Sequence, residues 1–438
     1  MSGSKNTGKL MLGFYFMVLT VLMYYFLYDV LELAVHVTYR HIFALVIAFS
    51  AVLCFFVKPN IARGVTSFKS ACVYSAPLLV TIAISLVIWT VNLEDFDVIS
   101  RGLSMAFFYI NMFSSALAAV AILYIFGEKG LWINLIAIVI SNMIMLVMII
   151  LEYGLPSFIS ELITLIVTFA GETGDIIKHA EIHELAFCLG AYLVYMAFKP
   201  KKKIMFWVLF ALAGFCFVAA FKRIAMAAIA VALVLGWALK FLSKFNDELA
   251  FRLTQALTIL IVVILVAYIA IIKSDIFTTL QESGVETSGR SYVYTVVDRF
   301  YEFSPEFLGY GIGFLTYQLN SGSIVGTGVT AVHNDFLQHY IDLGFWGYII
   351  WLVSMTLTRI NFFGKNGKTE NAIVAFVMIV YFVISSSTDN TMNYPLFTTV
   401  IAIIMIGHGY DDNVRETEFK MFGYISDINK KAEGRSIL

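Results

Sequence analysis

Three short polar breaks in a very apolar chain carry the groups able to do chemistry. Lys222 and Arg223 sit in "AFKRIAM", a hairpin-length interruption between two greasy runs. Arg290 follows a glycine in "TSGRSYVY", and His333 opens "HNDFLQHY" just before the chain turns apolar again. A guanidinium beside hydrocarbon costs at least about 2.5–3.5 kcal/mol unless it snorkels or meets an anion. Two arginines therefore predict an anion clamp, since each planar fork offers paired donors to phosphate-like oxygens. A histidine titrates at about pH 6.5 when unperturbed, which suits proton transfer. The pattern predicts catalytic roles for His333, Arg290 and Arg223. Lys222, Tyr292, Asn334, Asp335 and Asp389 are the substrate-binding candidates.

Each position also has a plainer reading. The Lys222–Arg223 pair suits interfacial snorkelling, and Arg290 suits a loop pairing with Glu286 or Asp298; Arg299 is the stronger structural partner there. Asp389, in "SSSTDNTMNYP", suits either ligand hydroxyls or a helix cap. "LGYGIGF" (308–314) contains G-x-G but lacks the G-K-[ST] element of a phosphate loop, so its glycines are expected to be loop hinges. His179 and His183 stand four apart in "HAEIHE" without a third ligand, which predicts a solvated face and no metal site. Cys54, Cys72, Cys188 and Cys216 all fall in apolar runs with no C-x-x-C pair, as buried small hydrophobes do.

The elements that must position these groups are membrane helices. Of 438 residues, 60% are hydrophobic and only 13% charged, against about 25% charged in soluble domains. Apolar stretches of about 20 residues, the length a helix needs to cross a bilayer, recur along the chain. They lack the alternation of barrel strands. The fold class is all-α: a polytopic integral membrane protein with about 12 transmembrane helices and one large extracytoplasmic loop. The expected spans are 10–30, 41–57, 71–92, 102–125, 131–152, 185–199, 204–221, 224–243, 253–273, 338–358, 371–388 and 394–410. They form a single transmembrane domain, 1–410, followed by a cytoplasmic tail, 411–438. With both termini cytoplasmic, 21 of the 29 lysines and arginines fall inside and 20 of the 30 acids outside, as the positive-inside rule requires. Residues 153–184, despite the apolar "LPSFISELITLIVTFAG", then form an outer interfacial or re-entrant segment, and 274–337 the outer loop carrying Arg290 and His333.

"SGR-x-Y", then "P-x-x-L-G-Y-G-I-G-F", then "H-N-D-F-L-Q-x-Y-x-D-L-G-F-W-G" resembles the outer loop of the O-antigen polymerase and O-antigen ligase superfamily. The likeness covers roughly residues 205–360; the earlier spans agree in number and hydropathy alone. The hairpin reads "F-K-R" where many relatives have a small residue and serine before the arginine, so both Lys222 and Arg223 stand as the contact. The resemblance implies a GT-C-like membrane glycosyltransferase at the outer face of a bacterial cytoplasmic membrane. Its implied donor and acceptor are polyprenyl-pyrophosphate-linked oligosaccharides, joined into capsule, exopolysaccharide or O-antigen. Membrane lipids, a chain-length regulator and a flippase are the expected partners, with no cofactor and no nucleic acid. In that scheme Arg290 and Arg223 hold the pyrophosphate and His333 takes the acceptor's proton.

Two alternatives share parts of this pattern. A ligase would use the same donor and pass the glycan to a different acceptor. A lipid-linked-oligosaccharide flippase would also have about a dozen spans, but transporters concentrate polar groups near the midplane and show related halves. The compact outer loop favours polymerisation. Sidedness is directly measurable: in a cysteine-free background, His333→Cys is expected to react with a membrane-impermeant maleimide on intact spheroplasts, whereas Lys202→Cys is expected to stay unlabelled.

Overall fold

The computed structural model describes residues 38–92, 107–168, 183–274, 276–283, 290–320, 331–365 and 368–421, with isolated positions elsewhere. Most of the expected span 10–30, the start of 102–125, His179, Glu286 and the tail beyond 421 lie outside the described residues, as does the side chain of His183.

The described elements are helices α1 Thr38–Val57, α2 Ile61–Val91, α3 Phe107–Phe126, α4 Lys129–Tyr153, α5 Leu155–Thr168, α6 His183–Phe198, α7 Ile204–Ala220, α8 Arg223–Ser243 and α9 Asp247–Lys273. They continue as α10 Ile276–Glu282, α11 Arg290–Val297, α12 Phe314–Asn320, α13 Asp335–Met355, α14 Leu357–Phe363, α15 Thr369–Ser386 and α16 Pro395–Gly407. No strand occurs among the described residues. Among the described residues, six stretches are long and apolar enough to cross a membrane: α2, α4, α8, α9, α13 with α14, and α15. Shorter apolar helices include α5, α6, α7 and α16. The chain is a multi-pass helical membrane protein.

Helix α2 starts ten residues before the expected span, at Ile61 rather than 71. Asn60 caps it, its side chain accepting from Arg63 N at 2.7 Å. Arg63 and Lys69, expected in a loop, ride on the first turns; Arg63 satisfies its charge on Tyr124 O at 3.0 Å and on Asp411 at 3.7 Å. Cys72 is exposed, contrary to expectation, while Cys54, Cys188 and Cys216 are buried. It lies opposite the buried stripe of α2, which runs through Ser67, Ser70, Tyr74, Pro77 and Thr81. Helix α5, 14 residues or about 21 Å long, is shorter than a hydrocarbon core of about 30 Å. Its buried Phe158 and Leu165 face the bundle, and Glu161 accepts from Ile177 N at 3.0 Å.

Two packing devices position the chemistry. Along α8, Ala225, Ala228, Ala232 and Gly236 form a buried stripe of small residues. A Cβ on Gly236 would come within 2.5 Å of Val377, so the stripe lets α8 close on α15, as small residues do between membrane helices. Antiparallel packing brings Lys222, just before α8, to the end where α15 finishes at Ser386.

The second device is the "LGYGIGF" loop. Its glycines are not hinges. Gly309, Gly311 and Gly313 adopt φ of 81°, 92° and 82°, and the loop is clamped to α13. The Asp342 carboxylate accepts from Gly313 N and Leu315 N, both at 3.0 Å. The Asp342 carbonyl accepts from Tyr310 N at 3.2 Å and Gly311 N at 2.7 Å. Trp89 donates to Tyr310 O at 3.0 Å, and Ile312 N donates to Ser85 Oγ at 2.9 Å, which ties the loop to α2 as well. Opposite it, Gly344 breaks α13 with φ 69° and ψ −179°.

A Cβ at Gly344 would lie 2.2 Å from the Leu308 carbonyl carbon, whereas one at Gly64 would meet nothing within 4 Å. Gly344→Ala is therefore expected to lower stability by about 1–3 kcal/mol, read as a lower melting midpoint in detergent. Gly64→Ala, inside a helix, is expected to be neutral or to stabilise by about 0.5–1 kcal/mol.

Candidate functional site

The site is assembled on residues 387–394, the connection between α15 and α16. Buried acids from distant segments stitch this connection in place. Asp335 accepts from Met392 N at 2.8 Å, Glu184 accepts from Leu396 N at 2.6 Å, and the hydroxyls of Ser386 and Thr391 meet at 2.6 Å. Pro395 begins α16, where its missing N–H costs nothing.

Asp389 is the hub of this connection and is only 9% exposed. One carboxylate oxygen accepts from Asn390 N at 2.8 Å and from the Tyr394 hydroxyl at 3.0 Å, with His333 Nδ1 at 3.7 Å. Lys222 Nζ lies 3.4 Å from the other oxygen. Burial pushes the Asp389 carboxyl up. The facing His333 imidazole, the Lys222 charge, Asn390 N and the Tyr394 hydroxyl outweigh it and hold the group well below the usual carboxylate range. Tyr394 moves the opposite way: burial, then the adjacent Asp389 charge, raises its hydroxyl above the ordinary tyrosine value.

Local structure explains how the cations arrive. Phe221 closes the α7–α8 hairpin in the left-handed region, φ 44°, and Lys222 follows in extended backbone. Lys222 also lies over the Phe187 ring, 5.5 Å from its centroid. Of the two hairpin candidates it is Lys222 that pairs with Asp389; Arg223 is the first residue of α8. Arg290 opens α11 and donates from Nη2 to Thr388 O at 2.8 Å, on the residue next to the hub. Its expected partner Asp298 instead binds Lys273, at 2.8 Å. Arg299 stacks over Phe300, 5.0 Å from the ring centroid.

His333 has φ 51°, a conformation that costs a non-glycine residue energy and clusters at functional sites. Its side chain is 56% exposed. With Nδ1 turned to Asp389, Nε2 is the nitrogen left to meet a ligand. The residues after it behave differently from expectation. Asn334, expected to bind substrate, is fully buried and caps α13, accepting from Phe336 N and Leu337 N at 3.1 Å. Its amide donates to Tyr294 at 3.1 Å and Tyr268 at 3.3 Å. Asp335, also expected at the ligand, is 2% exposed and committed to Met392 N. Both hold the turn that presents His333. Tyr292 is 55% exposed on α11. Asp389 caps no helix; its partners are the hub's own.

The structure thus brings Lys222, Arg290, His333 and Asp389 to one loop from four separate segments. Sequence reasoning missed Tyr394 and Thr388. A tyrosine just before a proline and five residues after Asp389 was the available signal, but a helical turn between them hides the contact. Among the described residues, no group of three histidines, cysteines or acids is arranged for a metal.

Residues 208–352 match the family model described as O-antigen ligase, Wzy_C. That stretch runs from α7 to α13 and contains Lys222, Arg223, Arg290 and His333, and it ends before Asp389. No curated protein matches the chain.

Asp389→Asn would remove the carboxylate charge that faces Lys222, 15% exposed at its side chain, across 3.4 Å. The expected cost is about 3 kcal/mol, as for breaking a buried pair. A group with a lowered folded pKa contributes fully above its unfolded value and loses that contribution as pH falls towards the folded value. The difference in melting midpoint between wild type and Asp389→Asn is therefore expected to be flat from about pH 5 to 8 and to shrink below about pH 4.

Proposed function

We propose, for a chain whose residues 208–352 match the family model described as O-antigen ligase, that the Asp389 loop is the active site of a membrane glycosyltransferase. The observation that carries this reading is the meeting of Lys222, Arg290 and His333 on Thr388 and Asp389. The donor is a polyprenyl-pyrophosphate-linked oligosaccharide and the acceptor a hydroxyl of a second such glycan. Arg290, with the Lys222–Arg223 hairpin, binds the pyrophosphate and offsets the charge that builds on it as the anomeric C–O bond breaks. His333 Nε2 removes the acceptor proton as the new glycosidic bond forms, and the lipid pyrophosphate leaves. Asp389 orients the imidazole through Nδ1 and stabilises it once protonated.

In this reading the His333 end faces outward, across about twelve spans in a GT-C-like arrangement, with both termini in the cytoplasm. The opposite end supports that orientation: Lys199 pairs with Glu370, Lys240 donates to Phe198 O at 2.7 Å, and Lys368 meets Glu416 at 2.6 Å. This is the lysine-rich side expected to stay inside. The cytoplasmic membrane of a bacterium is where such a donor is presented.

A second reading is ligation, transfer of the finished glycan to a different acceptor; the matched family model carries that description and does not separate the two. Purified protein supplied with lipid-linked repeat units separates the two, since polymerisation yields a ladder without any added acceptor. His333→Ala is expected to lose about 10²–10⁴-fold in turnover; a wild-type ladder from that variant would remove the base assignment. Arg290→Lys, which keeps the charge and loses the planar fork, is expected to be severely impaired.

A further inference from the structure

We infer that the end of the bundle opposite His333 carries a binding site for a phosphate-bearing anion, suited to the headgroup of an anionic phospholipid. A cavity of about 190 Å³ opens there between the start of α2, the junction of α14 with α15, and the helical stretch 410–421. Its lining includes Lys69, Lys365, Lys368 and Lys420 against one carboxylate, Glu416, a formal charge of 4 − 1 = +3.

The arrangement follows from helical spacing. Thr66, Lys69 and Ser70 share one face of α2, while Asn413, Glu416, Thr417 and Lys420 share one face of the closing helix. Glu416 is already engaged, 2.6 Å from Lys368 on one oxygen and 2.6 Å from Lys420 on the other. Hydrogen bonds from Lys368 and then Lys420 hold its carboxyl down to about 2. One carboxylate is thus shared by two ammonium groups, and the lining gives Lys69 and Lys365 no acid of their own. The Thr66 and Thr417 hydroxyls, 3.0 Å apart, add polar groups between the two walls.

Charge alone would accept any phosphate. The flanks favour a lipid. Phe68 and Phe419, each next in sequence to a lining lysine, are 70% and 81% exposed. Exposed phenylalanines beside lysines are what an interfacial helix presents to acyl chains and headgroups, and basic pockets between membrane helices hold anionic headgroups. Occupancy would also fasten 410–421 to α2. This site stands at the other end of the bundle from the glycosyltransferase reading and does not depend on it.

The test uses the purified full-length protein in neutral detergent, titrated separately with dioleoylphosphatidylglycerol, dioleoylphosphatidylcholine and inorganic phosphate while the melting midpoint is followed. Phosphatidylglycerol is expected to raise the midpoint saturably and phosphatidylcholine to leave it unmoved. Lys69→Ala combined with Lys365→Ala should raise the half-saturating concentration about five-fold or more. Glu416→Gln, which removes the competing carboxylate, should lower it. Lys244→Ala, at the same end but outside the cavity, should titrate as wild type. An equal, lysine-dependent response to inorganic phosphate would assign a soluble anion to the same groups. Titrations unchanged in both the double variant and Glu416→Gln, or no response to either anion, would overturn the site.

Discussion

One buried carboxylate sets the terms for the chemical end of this protein. Asp389 sits where water is largely excluded, so its charge persists only because Lys222, His333, the Tyr394 hydroxyl and Asn390 N meet it together. Lys222 and His333 come from two other segments, while Asn390 and Tyr394 belong to the connection that carries Asp389. The hairpin before α8, the turn before α13 and the connection after α15 must therefore stay in register, or the carboxylate becomes an uncompensated charge. The same requirement that keeps the loop folded keeps an ammonium group and an imidazole side by side.

The rest of the bundle supplies the rigidity this needs. The small-residue stripe of α8 brings its N-terminus flush with the end of α15. On the other side, Asp342 accepts four backbone N–H groups, three from the glycine loop and one from Leu315 in α12, two on its carboxylate and two on its carbonyl. That clamp sets the position of α13, and Asn334 sets its first turn. Polar residues in the apolar interior thus serve mostly to place backbone, and a minority face the site.

How much of this the sequence disclosed depended on the range of the interaction. Hydropathy located the helices because each must bury or expose some twenty side chains as a unit, and the boundary error at α2 arose where a capping asparagine let charged residues join the helix. Lys222, Arg290 and His333 stood out because charge is rare in such a chain. The hub itself was less legible. Asp389 was a candidate on equal terms with a helix cap, since nothing local reveals partners 56 and 167 positions earlier in the chain. Asn334 and Asp335 misled for the opposite reason: polar residues beside a reactive histidine look available, and only burial shows that they serve the backbone.

The left-handed backbone at His333 shapes how variation at this position will read out. Asparagine and glycine visit that region readily, whereas β-branched residues strongly resist it. A saturation library at codon 333 should accordingly split into two kinds of inactive protein. One kind accumulates in the membrane at normal abundance and lacks only the imidazole; the other has lost the turn before α13 and is degraded. Sorting on abundance before activity would separate chemistry from architecture at a single residue.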